Sequence, residues 1–150
     1  MPKSIQEFLA VSTEQAAKDL MKAASDVPEE RRTWKPLDKG RSVLDQIAEC
    51  AVLSDYTATV LQDRNWPADA FAEYAQDKAA IETDLETVSA RLEEVIPVVV
   101  AAIRDLKDEE LDKEITTPFG PMTLEKIATY PYWNMSYHQG QTSYVELLEK

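Results

Sequence analysis

Glycine, cysteine and histidine are scarce in this chain of 150 residues, which contains three glycines, one cysteine and one histidine. Because Cys50 is the only cysteine, the chain can form no intrachain disulfide and no zinc site built from cysteines. A chain without disulfides suits a reducing compartment, so we expect a cytoplasmic protein. Few glycines and almost no alternation of apolar and polar residues predict helices rather than strands.

Long apolar runs are also missing. The longest, residues 98–103, is far too short to cross a bilayer. The N-terminal residues lead directly into an amphipathic segment, which is not the pattern of a signal peptide. We therefore expect no association with a membrane.

Positive charge is in short supply. The chain has 16 lysines and arginines against 28 aspartates and glutamates, which gives a net charge of −12. No basic stripe interrupts this excess beyond a small cluster around Arg31 and Arg32. Because such a polyanion repels a phosphate backbone, we expect no binding to nucleic acid.

What the chain does contain is four long stretches with apolar residues at helical spacing, which predict four helices. They cover about residues 5–25, 42–66, 77–106 and 123–148. Ser4, Ser42 and Thr123 stand at the starts of three of these helices and predict N-caps. Pro97 lies inside the third helix and predicts a kink there.

A hairpin-like excursion is predicted before the last helix. Residues 115–123 place β-favouring side chains on either side of a turn that contains Pro118, Gly120 and Pro121. A bundle is the natural way to bury four apolar stripes. The sequence therefore predicts one all-α domain over residues 1–150, a four-helix bundle with a long or hairpin-like linker before the last helix.

The single histidine, His138, lies in the predicted last helix four residues after Asn134. Side chains one helical turn apart face the same way, so this imidazole and carboxamide can chelate a metal if another helix supplies a third ligand. The alternative is a packing histidine held by hydrogen bonds. Trp133 and Tyr137 are candidates for the wall of a pocket beside it, and Gln141 for a partner that orients the imidazole.

Three segments in order carry a family resemblance. They are the loop into the second helix (residues 34–51), the linker into the last helix (residues 111–124) and the run Asn134-Met135-Ser136-Tyr137-His138-Gln139-Gly140-Gln141. Taken together they resemble the DinB-like (DinB/YfiT) superfamily of small metal-associated four-helix bundles. The likeness covers nearly the whole chain.

The resemblance implies a metal triad of three histidines, one from the second helix and two from the last. Matched by position, His138 takes the place of the last ligand, and Glu49 and Asn134 stand at the other two. These three residues are the predicted ligands of a divalent zinc, nickel, manganese or iron ion. The alternative is a metal-free polar cluster in which Glu49 pairs with His138 and Asn134 forms a hydrogen bond alongside.

Two classes of function follow. The first is a DinB-like enzyme with a divergent metal site, a divalent-metal-dependent thiol transferase or hydrolase-like enzyme that acts on a small-molecule or thiol ligand. The second is a non-catalytic bundle that has lost its metal and either binds a small ligand or serves as a dimeric interaction module. Since four-helix members pair through exposed helix faces, we expect a homodimer.

Two small residues near the predicted site have structural interpretations. Gly140 inside a helix costs about 1 kcal/mol relative to alanine, and we interpret it as a point of close helix packing. Cys50 adjoins Glu49, whose charge disfavours a thiolate, so we interpret it as a buried packing thiol.

Overall fold

The computed structural model describes residues 4–148, which are mostly helical. The α-helices are α1 (Ile5–Asp26), α2 (Val43–Asp63), α3 (Tyr74–Ile81), α4 (Leu85–Arg104) and α5 (Leu124–Leu147). Single 3₁₀ turns cover Glu29–Arg31, Pro36–Asp38 and Asp108–Glu110. Strands β1 (Glu114–Thr117) and β2 (Gly120–Thr123) form one antiparallel hairpin.

The four long helices form the predicted bundle. Helix α1 packs against α4 and α5, and α2 packs against the same two helices, so that all four surround one core. The largest fully buried side chains of that core are aliphatic and come from every long helix: Leu20, Ile47, Leu61, Leu92, Ile103, Leu124 and Met135 among them. The predicted all-α fold is therefore confirmed. Within the described residues, no helix has the length and apolar content needed to cross a membrane.

The predicted caps begin three of these helices. In each case a side-chain hydroxyl accepts a hydrogen bond from the backbone N–H three residues later, which satisfies a donor that the first turn leaves free. The backbone N–H groups of Glu7, Asp45 and Lys126 donate to Ser4 Oγ at 3.2 Å, to Ser42 Oγ at 3.1 Å and to Thr123 Oγ1 at 3.2 Å, in that order.

The prediction of a single third helix over residues 77–106 is wrong. Helix α3 ends at Ile81, and α4 begins at Leu85 with Asp84 as its N-cap. The Asp84 carboxylate accepts from the Thr87 N–H at 2.7 Å and from the Thr87 hydroxyl at 3.0 Å. This cap favours a new helix start over continuation. Helix α4 continues through Pro97, as α5 does through Pro131.

The predicted hairpin is confirmed. Ile115 pairs with Met122 and Thr117 with Gly120, and the Thr117 hydroxyl donates to the Gly120 carbonyl at 2.7 Å. Gly120 has a φ of 98°, a conformation that favours glycine. The turn carries Phe119, whose ring lies 6.3 Å from that of Trp66 and 6.2 Å from that of Phe71. The hairpin thereby covers one side of a cavity next to α2 and α5.

Candidate functional site

His138 lies at the centre of a polar cluster between α2 and α5 and is only 2% exposed. Its Nε2 lies 3.0 Å from Glu49 Oε1. Its Nδ1 lies 2.9 Å from Gln46 Oε1 and 2.8 Å from Gln141 Oε1. Both ring nitrogens therefore have partners within the chain.

Acceptor oxygens face both nitrogens of the imidazole. The amide nitrogen of Gln46 donates to the Arg41 carbonyl at 3.3 Å, so the amide oxygen of Gln46 faces Nδ1. The carboxylate of Glu49, which only accepts when it is ionised, faces Nε2. The ring is therefore held between two fixed acceptors, one from each side.

Glu49 is held in its ionised form by hydrogen bonds from two neighbours. Burial alone would raise the pKa of Glu49, but hydrogen bonds from His138 and Arg41 outweigh burial and lower that pKa below its ordinary value. Arg41 Nη1 lies 2.6 Å from Glu49 Oε2. The carboxylate therefore has a partner on each oxygen, His138 on Oε1 and Arg41 on Oε2.

The cluster extends along α2 as a row of alternating charges. Asp45 pairs with both Arg41 and Lys78. Burial would raise the pKa of Asp45, and hydrogen bonds from the two cations lower it instead. The row of opposite charges runs in the order Lys78, Asp45, Arg41, Glu49 and His138. Lys78, Asp45, Arg41 and Glu49 each have an oppositely charged neighbour within the chain.

Asn134 lies one turn before His138 and is 3% exposed. Its amide nitrogen donates to the Cys50 sulfur at 3.7 Å, so its amide group is turned toward α2. Burial, and then the charge of Glu49, raise the pKa of the Cys50 thiol. Cys50 is thus a buried thiol acceptor, in agreement with its interpretation from the sequence.

The predicted ligands Glu49, Asn134 and His138 fit a divalent metal poorly. The Nε2 atom that would bind the ion lies 3.0 Å from Glu49 Oε1, and the other carboxylate oxygen is paired with Arg41. A metal would have to displace the contact between His138 and Glu49 beside the guanidinium of Arg41. In the described part of the chain, no group of three or more His, Cys, Asp or Glu residues could hold a metal.

A cavity of about 650 Å³ adjoins the cluster. Its walls come from α2, the segment before α3, the hairpin and α5. They hold seven of the twelve aromatic residues of the chain: Tyr56, Trp66, Phe71, Tyr74, Phe119, Tyr130 and Trp133. Leu53, Val60, Met122 and Ile127 add aliphatic surface. The cavity is therefore mostly apolar and aromatic.

Three polar groups converge at the end of this cavity that Glu49 occupies. The Tyr74 hydroxyl lies 3.5 Å from Glu49 Oε2, and burial followed by the charge of Glu49 raises the pKa of Tyr74 to about 12. The same two causes raise the pKa of Tyr130. Among the described residues the Tyr130 hydroxyl has no hydrogen-bond partner. Both phenols are therefore protonated donors, and that of Tyr130 is available.

The other candidate residues lie at different places around the cluster. Gln141 bonds to His138, as the sequence predicts for an orienting partner. Trp133 lines the cavity and is 53% exposed. Tyr137 stacks on Trp133 with ring centroids 5.5 Å apart and contacts the His138 ring edge-on at 5.2 Å, but it faces a second groove.

Gly140 also lies in that second groove. A Cβ added to it would meet no heavy atom within 4 Å. The interpretation of Gly140 as a point of close packing inside the bundle is therefore wrong. Nothing in the described part of the same chain requires glycine at this position.

Sequence reasoning missed several residues of the site. Gln46 lies one turn before Glu49, and Arg41, Asp45 and Glu49 follow one another at four-residue spacing, so a search of α2 for same-face polar residues finds them. Trp66, Phe71 and Phe119 come from loops without periodicity. No local pattern indicates that these three rings meet in one cavity.

Residues 12–141 match the sequence model of the DinB superfamily. The chain belongs to this superfamily. The predicted resemblance is thereby confirmed. A comparison with curated proteins finds no match.

Solved structures share the fold. A conserved protein from Enterococcus faecalis has 13% identity and a TM-score of 0.76, over 97% of this chain and 96% of that one. A Streptococcus pneumoniae protein has 15% identity and a TM-score of 0.67, over 97% and 93%. The mycothiol-dependent maleylpyruvate isomerase has 14% identity and a TM-score of 0.61, over 97% of this chain but 61% of that one. These similarities show the fold alone.

Proposed function

We propose that this DinB-superfamily protein binds a small, flat and mostly apolar molecule in the cavity beside the His138–Glu49 cluster, without a resident metal. The observation that carries the proposal is the cavity itself. It combines seven aromatic side chains with a Tyr130 hydroxyl that has no partner in the described chain. A cavity of about 650 Å³ is in the range of small-molecule sites.

The walls favour an aromatic ring system. Their rings offer both faces and edges, since Trp66 and Phe71 are tilted at 53° and Phe71 and Tyr74 meet at 89°. Such surroundings accept a flat ring by stacking and by edge-to-face contact. The ligand is therefore expected to be one or two fused rings rather than a long flexible chain.

The polar end favours a neutral ligand with one oxygen. The hydroxyl of Tyr130 can donate to a carbonyl or hydroxyl oxygen, whereas that of Tyr74 donates to Glu49, and the charge of Glu49 disfavours an anion. Lys126 lies on the lining but is exposed to solvent, so its charge is screened. Naphthol represents this chemistry, with naphthalene and naphthoate as its apolar and anionic counterparts.

The polar cluster has a supporting role in this proposal. His138 and Arg41 fix the Glu49 carboxylate at one end of the cavity, and Gln46 and Gln141 fix the imidazole. Burial, followed by the charge of this carboxylate, raises the pKa of each of the two phenols. No proton transfer is required for binding.

A divalent-metal-dependent thiol transferase or hydrolase-like enzyme is the second candidate. The observation in its favour is the fold shared with the mycothiol-dependent maleylpyruvate isomerase, together with a cavity directly beside Glu49 and His138. This candidate requires zinc, nickel, manganese or iron at Glu49, Asn134 and His138. It predicts stoichiometric metal in protein purified without chelator or a histidine tag, and loss of that metal in His138→Ala.

The proposal is tested by calorimetric titration of naphthol, naphthalene and naphthoate. Ala70→Trp fills the cavity from a loop position outside the bundle core, and Ala68→Trp adds the same ring to the same loop at an exposed position outside the lining. We expect naphthol to bind most tightly to the wild type and to Ala68→Trp, and not to Ala70→Trp. Equal binding by the two variants, or no binding by the wild type, would contradict the proposal.

A further inference from the structure

The part of the chain that joins α2 to α4 differs from the rest of the bundle in its burial. Residues 62–87 contain no buried side chain, whereas α2 buries thirteen of its 21 residues and α4 buries eight of its 20. Trp66 and Ile81 pack against the core only as partly buried residues. Because packing of an apolar face provides most of the stability of a helix, this part of the chain can detach at little cost to the core.

Both ends of this part of the chain are fixed to the bundle. Arg64 ends α2 in a left-handed conformation with a φ of 55°. Its guanidinium donates to the two carboxylate oxygens of Glu110 at 3.0 and 2.9 Å, which ties it to the turn after α4. At the other end, Asp84 caps α4. We call the residues between these two fixed points, 65–83, the lid segment.

The lid segment covers one side of the cavity described above. Four of its side chains line the cavity: Trp66, Ala70, Phe71 and Tyr74. The ring of Phe71 lies 6.2 Å from that of Phe119 on the hairpin and 6.4 Å from that of Tyr56 on α2, measured between centroids. These ring contacts hold the lid segment over the cavity without burying it in the core.

Polar contacts complete the attachment of α3 to α2. The Tyr56 hydroxyl donates to Asp77 Oδ2 at 2.6 Å, and Lys78 pairs with Asp45. All four side chains are partly exposed, so water replaces each partner when the contact opens. The lid segment is therefore attached by contacts that open more easily than those of the core.

We propose that the lid segment opens and closes over the cavity as a unit, with Arg64 and Asp84 as its hinges, and that this opening admits the ligand. The proposal rests on the proposed function for the ligand alone, since the motion belongs to the protein without ligand. A flat apolar molecule in the cavity contacts the rings of Trp66, Phe71 and Tyr74, so it favours the closed state. Ligand binding and lid closure are therefore coupled.

Hydrogen exchange of the protein without ligand tests the opening. The backbone N–H of Asp77 donates to the Glu73 carbonyl at 2.9 Å, and that of Glu82 donates to the Lys78 carbonyl at 3.0 Å. We expect these amides to exchange at least about a hundredfold faster than those in the middle of α2 and α4. Naphthol at a hundredfold excess over its Kd should slow their exchange about a hundredfold.

A variant outside the cavity wall tests the attachment of α3. Asp77→Ala removes the acceptor of the Tyr56 hydroxyl and does not touch the cavity lining. It should speed exchange in the lid segment about tenfold and leave exchange in α2 and α4 unchanged. The matched control is Asp69→Ala, at an exposed position of the same segment, which should change neither.

Thiol labelling tests access to the cavity, again without ligand. Thr57→Cys places a thiol on the cavity wall at a position that is 7% exposed, while the native Cys50 is fully buried. A small alkylating reagent should react with the new thiol about tenfold faster when Asp77→Ala is added. Adding Asp69→Ala instead should leave the rate unchanged.

Three results would each overturn the proposal. They are amides of α3 that exchange as slowly as those of α2, thiol labelling that Asp77→Ala leaves unchanged, and naphthol that binds without slowing exchange in α3. A wild type that binds no naphthol would contradict the proposed function instead. The two measurements without ligand would then still decide whether the lid segment opens.

Discussion

The polar cluster around His138 and the aromatic cavity beside it share Glu49 but differ in how their polar atoms are satisfied. In the cluster, both nitrogens of His138 and both oxygens of Glu49 have partners within the chain. In the cavity, the Tyr130 hydroxyl has none among the described residues. The polar group that is free to bind another molecule therefore lies in the cavity, whereas His138 already has partners on both ring nitrogens.

The largest expected effect is the loss of stability when the polar cluster around His138 is broken. Glu49→Ala leaves the buried His138 without its carboxylate and Arg41 with Asp45 alone, and breaking such a pair costs about 3–5 kcal/mol of unfolding free energy. Urea denaturation measures it. The matched control is Glu93→Ala at an exposed position of α4, which should change stability by less than about 0.5 kcal/mol. Equal effects of the two substitutions would show that the cluster does not contribute to stability.

The response of the melting temperature to zinc distinguishes this cluster from a three-histidine site. We expect neither chelator nor zinc to shift the melting temperature of the wild type, because both carboxylate oxygens of Glu49 already have partners in His138 and Arg41. The double variant Glu49→His with Asn134→His supplies two further imidazoles, and zinc at a hundredfold excess over its Kd should stabilise it by about 2.7 kcal/mol. Thermal unfolding with and without zinc measures both. A zinc-dependent shift in the wild type would instead support the metal-dependent enzyme.

The pH dependence of stability follows from the lowered pKa values of Asp45 and Glu49. A carboxyl whose pKa is lower in the folded state stabilises the protein above its unfolded pKa, about 4 for these groups, and this stabilisation is lost as pH falls through the folded value. Each carboxyl contributes a slope of at most about 1.4 kcal/mol per pH unit. Urea unfolding from neutral to acidic pH should show a shallower slope in Glu49→Gln. Identical slopes in the two proteins would contradict the pairing.

The smallest expected effect on stability is that of removing the Tyr130 hydroxyl from the cavity. Tyr130→Phe removes a hydroxyl that has no partner in the described chain, so the unfolding free energy should change by less than about 0.5 kcal/mol. The same variant loses one hydrogen bond to naphthol, about 1 kcal/mol, which weakens binding roughly fivefold. Calorimetric titration measures the change, and naphthalene, which has no oxygen, should bind to both proteins alike. An equal loss of affinity for naphthol and for naphthalene would mean that the Tyr130 hydroxyl does not contact the ligand.

The sequence predicts the bundle and much of the cluster because both depend on short spacings along a helix. The apolar periodicity predicted the long helices, and Ser42 and Thr123 predicted where two of them begin. The family resemblance predicted that Glu49 and His138 lie at the same site. The break at Asp84 was missed because the apolar pattern continues across it, although Asp84 and Thr87 mark a cap. A pocket beside His138 with Trp133 on its wall was predicted, and Trp133 lines the cavity. Trp66, Phe71 and Phe119 were missed because they come from separate loops and meet only in the folded chain.

The central claim is that the cavity binds its ligand without a metal, and the affinity for naphthol before and after exhaustive treatment with chelator tests it most directly. The account predicts the same Kd in both states for the wild type and for Ala68→Trp, and no binding to Ala70→Trp in either. Binding that disappears with the metal, or a wild type that binds no naphthol at all, would contradict it.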